Sequence, residues 1–253
     1  MPRGTSRADE MRLQGRMDPD ALLYIAKIER ADNAALESGV KEAINNFVVA
    51  CKDTKIWEKL GLVNIMAGAR SFTGAITCLK GPINTLTNAN FTLNDYSRKN
   101  GFTGDGVNKD FTTGTYWYNA EPLNDYHIAV NIVTLDTVNP HPVWGQGGTT
   151  YDQLTYNNIR SRSTTAFSTA ISAGIAILYR DNSSTFDFRN NKTTTTRTST
   201  SQVASGQTFR IFRSGGSFAT HTMNFFSSGR AVPLVTYENL ITTLLTDIGR
   251  AVN

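Results

Sequence analysis

Apolar positions in the first sixty residues recur at helical spacing. Val40, Ala43, Ile44, Phe47, Val48 and Cys51 stand at offsets 0, 3, 4, 7, 8 and 11, one unbroken stripe that predicts a helix over 35–52. Upstream, Asp18 is placed to cap and Pro19 to open an earlier helix over 19–31, whose apolar side is Leu22, Leu23, Ile25, Ala26 and Ile28. Thr54 suits the start of a short third helix through Ile56, Trp57 and Leu60, ended by Gly61 in a left-handed conformation. Beyond this point the period changes. Gly, Thr, Asn and Ser become frequent, and short apolar runs predict strands at 62–67, 126–135, 173–180, 184–189, 207–213 and 218–226. Asn190-Asn191 and Ser214-Gly215-Gly216-Ser217 read as turns. In 126–135, Tyr126, Ile128, Val130 and Ile132 alternate with His127, Ala129, Asn131, Val133 and Leu135. Both faces are partly apolar, as in an inner strand of a layered sandwich. The threonine-rich stretch 192–201 reads as an edge strand or a loop. Helical spacing returns with Tyr237, Leu240, Ile241, Leu244, Leu245, Ile248 and Val252, with Thr236 as the cap and Glu238 near the positive end of the dipole.

The expected fold is therefore mainly β: an antiparallel β-sandwich over 62–235, a helical segment at 18–61, and a C-terminal helix, 236–253, packed on the body. A chain of 253 residues accommodates such a sandwich as one domain. Residues 1–17 place Met1, Met11, Leu13 and Met17 among Arg3, Arg7, Arg12 and Arg16, a pattern that suits an extended arm attaching to a neighbouring subunit. No apolar run approaches the ~18 residues of a membrane span, and the start, Met1 to Arg7, carries no stretch resembling a signal peptide's. Cys51 and Cys78 form no Cys-x-x-Cys pair and read as small core hydrophobes.

Charge sharpens the picture in one region. The chain's formal net charge is +4, yet 153–235 holds nine cationic residues (Arg160, Arg162, Arg180, Arg189, Lys192, Arg197, Arg210, Arg213 and Arg230) against Asp181 and Asp187 alone. Two readings remain open: a polyanionic neighbour, or a solvated sandwich face carrying scattered arginines. No basic stripe is interleaved with aromatics, so nucleic acid is not an expected partner.

Templates for catalysis are missing. The sequence has no P-loop, dinucleotide fingerprint, His-Glu-x-x-His helix or Gly-x-Ser-x-Gly elbow. His127, His141 and His221 are far apart, so a Ser-His-Asp arrangement would have to assemble in space. Within 91–235 the only glutamate is Glu121, and the aspartates are dispersed, which disfavours the paired carboxylates of sugar hydrolysis. The expectation is a non-enzymatic protein with no cofactor and no metal. Asp105, Asn108 and Asp110 surround Lys109 without the spacing of a calcium loop and read as a turn entering a strand. The aromatic residues Tyr116, Trp117, Trp144 and Tyr151, set among Asn, Gln and Gly, are the candidates for stacking on a glycan. Burial in the core or in a subunit interface is the alternative.

Several stretches carry a resemblance. They are Ala31-Asp32-Asn33-Ala34-Ala35-Leu36-Glu37, then 40–52, Ile56-Trp57, Ala67-Gly68-Ala69-Arg70, Asp95-Tyr96-Ser97-Arg98-Lys99-Asn100-Gly101 and Gly104-Asp105-Gly106. Together they resemble a family of tailed-bacteriophage virion proteins with a concanavalin A-like (laminin-G-like) jelly-roll, most densely over 20–110. The resemblance implies a structural subunit of the virion, assembled in the host cytoplasm and decorating capsid or tail. A carbohydrate-binding tail-fibre adhesin is the alternative. The expected partners are other virion proteins and further copies of the chain, a trimer by resemblance, with a host-surface glycan for the adhesin and no membrane insertion.

Overall fold

The computed structural model describes residues 17–114, 122–137, 141–145, 151–203 and 209–252. Four helices are described: α1 (Pro19–Asp32), α2 (Ser38–Asp53), the single turn α3 (Phe72–Ala75) and α4 (Leu234–Ala251). The early strands are β1 (Leu60–Ile65), β2 (Cys78–Lys80), β3 (Thr87–Ala89), β4 (Tyr96–Ser97), β5 (Gly101–Thr103) and β6 (Asp110–Thr112). The central ones are β7 (Tyr126–Thr134), β8 (Pro142–Gly145), β9 (Tyr151–Thr155), β10 (Asn158–Ser163), β11 (Phe167–Ser168) and β12 (Gly174–Arg180). The last are β13 (Thr185–Asn190), β14 (Thr193–Thr198), β15 (Arg210–Ile211), β16 (Arg213–Ser214), β17 (Ser217–Phe218) and β18 (Thr222–Gly229).

These strands form an antiparallel sandwich of jelly-roll type. One sheet has nine strands, with β14-β13-β12-β7-β18-β1-β2 as its main path and β5 and β4 added beside β18. The other has seven, in the order β11-β10-β9-β8-β15-β6-β3, and β16 with β17 makes a separate hairpin. Register assigns the two faces of β7. Ile177 pairs with Ala129 and Phe225 with Asn131, so His127, Ala129, Asn131, Ile177 and Phe225 share the outer face. Phe47 of α2 meets Phe225 edge-on at 6.2 Å, and Tyr237 of α4 meets His127 at 5.3 Å. A helical layer thus covers that face. The opposite face of β7 looks into the sandwich, where Trp144, Phe209 and Phe226 form a chain of rings and Phe91 stacks on Phe111 at 4.4 Å.

Several expectations are corrected. Thr54 does not open a third helix: its hydroxyl donates to the Ala50 carbonyl at 2.7 Å and so closes the end of α2, and only a 3-10 turn, Trp57–Lys59, follows. Gly61 lies inside β1. The cap of α4 is Pro233 rather than Thr236. The expected strand 207–213 is broken where Phe212 takes φ +71, which turns the chain into the β16–β17 hairpin. The threonine-rich stretch settles as the edge strand β14. Met17 packs against the core, so the folded body begins one residue inside the expected arm. Arg3, Arg7, Arg12 and Arg16 lie outside the described residues. Both cysteines are buried thiols, and burial pushes each pKa up to about 12.

Candidate ligand cleft

Residues of three separate segments, 31–37, 67–70 and 95–101, meet at one junction. Arg98 grips Glu37 with two bonds of 3.0 and 2.6 Å and also donates to the Gly68 carbonyl at 2.8 Å. Arg70 adds a 2.6 Å bond to the same carboxylate, while its backbone N–H donates to Asp32 at 2.6 Å. Burial alone would raise the Glu37 pKa, but the two guanidiniums outweigh it and hold the carboxyl below its usual range. Gly68 has φ +89, and Gly101 runs so close to β18 that a Cβ would lie 2.1 Å from the Met223 carbonyl oxygen. This junction ties α1 and α2 to the sheet.

Beside it opens a cleft of about 640 Å³ between the C-terminal half of α4 and the outer face of the nine-stranded sheet. Its volume falls within the roughly 300–1,000 Å³ of small-molecule sites. The floor holds an amide pair, with Asn131 Nδ2 donating to Asn224 Oδ1 at 2.8 Å and Asn224 Nδ2 donating to the Lys99 carbonyl at 3.3 Å. One wall is α4, which contributes Thr242, Leu245 and Thr246. The β13–β14 turn also lines the cleft, and there Asn191 and Lys192 have φ +45 and +72, the signature of a type I′ hairpin. Glu238 fixes that turn to α4: one carboxylate oxygen accepts from the Lys192 backbone N–H at 2.8 Å, the other from Arg189 at 2.6–2.7 Å. Lys99, Lys192 and Arg250 all line the cleft.

The aromatic candidates are not brought together here. Trp144 is fully buried on β8, tilted against Phe209 at 5.7 Å, because the apolar lead Pro142-Val143 places it in the sandwich interior. Its expected role in stacking on a glycan is therefore corrected. Tyr116 and Trp117 lie outside the described residues, and Tyr151 is placed only by its backbone in β9.

The basic excess is also reassigned, since neither open reading describes all of it. Arg162, Arg180 and Arg189 are buried. Arg180 donates to Ser161 and to the carbonyls of Ser161 and Ser199, all at 3.0 Å. Arg162 stacks 4.3 Å over the Tyr126 ring, and the Tyr126 hydroxyl donates to Asp152 at 2.7 Å. Burial raises the Asp152 pKa despite Arg162 beside it. Arg210 pairs with buried Asp110 at 2.6 Å and exposed Arg230 with Asp125 at 2.6 Å.

Histidine geometry is equally committed. The Tyr237 hydroxyl donates to Ser227 Oγ at 2.7 Å, Ser227 Oγ lies 3.3 Å from His127 Nε2, and His127 Nδ1 lies 2.7 Å from the Arg230 carbonyl. A serine does meet a histidine, but the third partner is a backbone carbonyl and the group is sealed beneath α4. Burial drives the His127 pKa down to about 4, so the ring is neutral near pH 7. His141 bonds Asp136 at 2.6 Å, and His221 accepts from the Asp136 backbone N–H at 2.9 Å. Asp105 behaves as a turn residue, one oxygen accepting three successive backbone N–H groups at 2.9–3.3 Å. No cluster of three or more potential metal ligands occurs among the described residues.

No family model matches the sequence, and the search of curated proteins returns no match. Similarity appears among solved structures. Domain 4 of a GH43 extracellular arabinanase from Geobacillus stearothermophilus, in complex with arabinotriose, aligns at TM-score 0.42 and 10% identity, over 72% of this chain and 98% of that one. Trypanosoma rangeli sialidase in complex with a difluoro-KDN aligns at 0.44 and 11%, over 83% and 40%, and the same sialidase with sialic acid at 0.39 and 14%, over 76% and 34%. The chain thus spans less than half the length of the sialidases. These neighbours correct one expectation: the chains resembled belong to an arabinanase and to sialidases, so the exclusion of an enzyme is withdrawn. At these TM-scores no residue and no reaction is transferred from them.

Proposed function

We propose that this chain is a surface subunit of a tailed-phage particle, attached to capsid or tail and presenting its sandwich outward. The observation that carries the reading is the junction of Asp32, Glu37, Gly68, Arg70 and Arg98. Three of the six stretches that carry the resemblance, 31–37, 67–70 and 95–101, meet there in one ion-paired knot, which supports the reading. The arm with Arg3, Arg7, Arg12 and Arg16 is the attachment element in this reading, and a trimer the expected assembly. Particles lacking the chain are mixed with the full-length protein or with a chain lacking residues 1–16, and co-sedimentation is followed over a salt series. Stoichiometric binding that weakens with salt and with loss of the arm supports the proposal. Absence of binding by the full-length chain rejects it.

The cleft favours a second reading for the same subunit, host adhesion through carbohydrate. Amide and hydroxyl groups beside an aliphatic wall match the alternating hydroxyl and C–H surface of a sugar. Glycan-array binding by the full-length chain tests it, and a uniformly negative array counts against it.

A further inference from the structure

One edge of the nine-stranded sheet lacks the usual defences of a strand that stays unpaired. Exposed edges are normally kept short, bulged, charged or interrupted by proline. The other edge strands among the described residues are short: β2 and β3 have three residues, β4 and β11 two. β14 has six, paired to β13 in an unbroken register, with no proline and with Arg197 as its one charge. Its hydrogen-bonding phase is fixed at both ends. Asn190 and Thr193 close the turn through Asn191 and Lys192, and just past the strand the Ser199 backbone N–H donates to the Ser184 carbonyl at 2.7 Å. Antiparallel bonding alternates, so Thr193, Thr195 and Arg197 bond to β13, while the backbone N–H and C=O groups of Thr194, Thr196 and Thr198 point away from the sheet. None of these outward groups bonds a described residue. Beyond β14 the Ser201 N–H donates to Ser183 and the Gln202 N–H to Arg162 of β10, so the chain leaves for the other sheet instead of doubling back along the edge.

We propose that β14 pairs with β14 of a second copy of this chain, joining the two nine-stranded sheets edge to edge about a two-fold axis. The strand is complementary to itself. In one antiparallel register Thr196 stands opposite the partner's Thr196 at the axis, with Thr194 opposite the partner's Thr198 on either side, and every outward N–H and C=O finds a partner. Sliding the partner by two residues either way leaves one of these three threonines unmatched, and one of the slides sets Arg197 against the partner's Arg197, a like-charge pair. In the favoured register Arg197 faces a threonine, and its guanidinium reaches towards the other sheet, donating to the Ser168 carbonyl at 3.3 Å. Threonine opposite threonine is a favourable cross-strand pair. The hydroxyls of Thr194 and Thr196 are held on the outer face by Arg189 at 2.9 Å and Asp187 at 2.6 Å, which orders the strand before it meets its copy. Such a contact is isologous and closes as a dimer, so it goes beyond the virion reading, whose trimer would form on a different surface.

Sedimentation equilibrium of the full-length chain over a concentration series tests this, alongside Thr196→Pro and Thr196→Lys. The Thr196 N–H points away from β13, so proline there spares the strand's own ladder, and lysine places like charges at the axis. The native chain should dimerise, and each variant should weaken dimerisation about tenfold or more with an unchanged circular dichroism spectrum. Cross-linking reads the register, because Cys51 and Cys78 are buried. Directly opposed residues of a hydrogen-bonded pair lie ~5.5 Å apart at Cα, within reach of a disulfide. Oxidised Thr196→Cys should therefore give a covalent dimer and Thr193→Cys should not, while Thr194→Cys and Thr198→Cys should cross-link only when mixed. A native chain that stays monomeric up to millimolar concentration would overturn the proposal and leave the edge to a strand of another protein. Association as a dimer or trimer that neither Thr196 variant weakens would overturn it as well, placing the interface elsewhere. Cross-linking of Thr193→Cys as readily as Thr196→Cys would reject the paired strands.

Discussion

On the outside of the nine-stranded sheet, Ala129, Ile177 and Phe225 are buried beneath α2 and α4; on the outside of the seven-stranded sheet, Gln153, Asn158 and Arg160 surround a small polar recess under the β16–β17 hairpin. Both sheets bury their inner faces, so the difference lies in what the second face carries. An apolar outer face must be covered, and here the two chain ends supply the cover from helices whose stripes are visible in the sequence. The cover is incomplete at the C-terminal half of α4, and there the large cleft opens. A polar outer face needs no such layer.

The comparison is tested most severely at the ion pair beneath α4. Glu238→Ala leaves Arg189 buried without its counter-charge and should cost about 3–5 kcal/mol in denaturant unfolding. Arg230→Ala, which removes an exposed pair of similar length, should cost less than about 1 kcal/mol. Neighbouring phenylalanines of β18 give the next contrast, because Phe225 faces the helices and Phe226 the sandwich interior. Each change to alanine should cost about 3–5 kcal/mol. A much smaller cost for Phe225→Ala would mean a loosely attached helical layer.

Acid should loosen the same seam. Burial depresses the folded His127 pKa to about 4, below the ~6.5 of an unfolded histidine, so its contribution is complete above pH 6.5 and is lost as pH falls towards 4. The loss is on the order of 3 kcal/mol, from about 1.36 kcal/mol per unit. Urea unfolding between pH 7.5 and 4 should show that slope in the native chain and a shallower one in His127→Gln. Asp18→Ala removes the cap of α1 and the bond to Lys52, for about 1 kcal/mol by thermal unfolding. The smallest effect is expected at the exposed edge: Thr196→Ala on β14 should shift stability by about 0.5 kcal/mol or less.

How much of this was legible follows from the range of the forces involved. The stripe from Val40 to Cys51 identified α2 because burial repeats at the helical period, and the two part-apolar faces of 126–135 anticipated a strand covered on both sides. Thr54 was misread because one hydroxyl can cap the helix behind it as well as the one ahead. The break at Phe212 has no local signal, since a bulky residue at φ +71 is imposed by tertiary contacts. Trp144 misled because glycines follow it, although the Pro142-Val143 lead already marked a buried strand. The cleft escaped notice because Lys99, Asn131, Lys192 and Arg250 come from distant segments that no sequence window joins. The expected Asn190-Asn191 turn was the one local hint, and it was off by one residue: Asn190 ends β13 and the left-handed pair is Asn191-Lys192.

Native-state hydrogen exchange on the full-length chain tests most directly whether the helical layer and the nine-stranded sheet form one cooperative body. The account predicts that the interior amides of α4, Ile241 to Ile248, exchange with the same opening free energy as those of β7, and that Glu238→Ala lowers both together. Exchange of α4 through a separate, lower-energy opening, with β7 unaffected by the substitution, would contradict it.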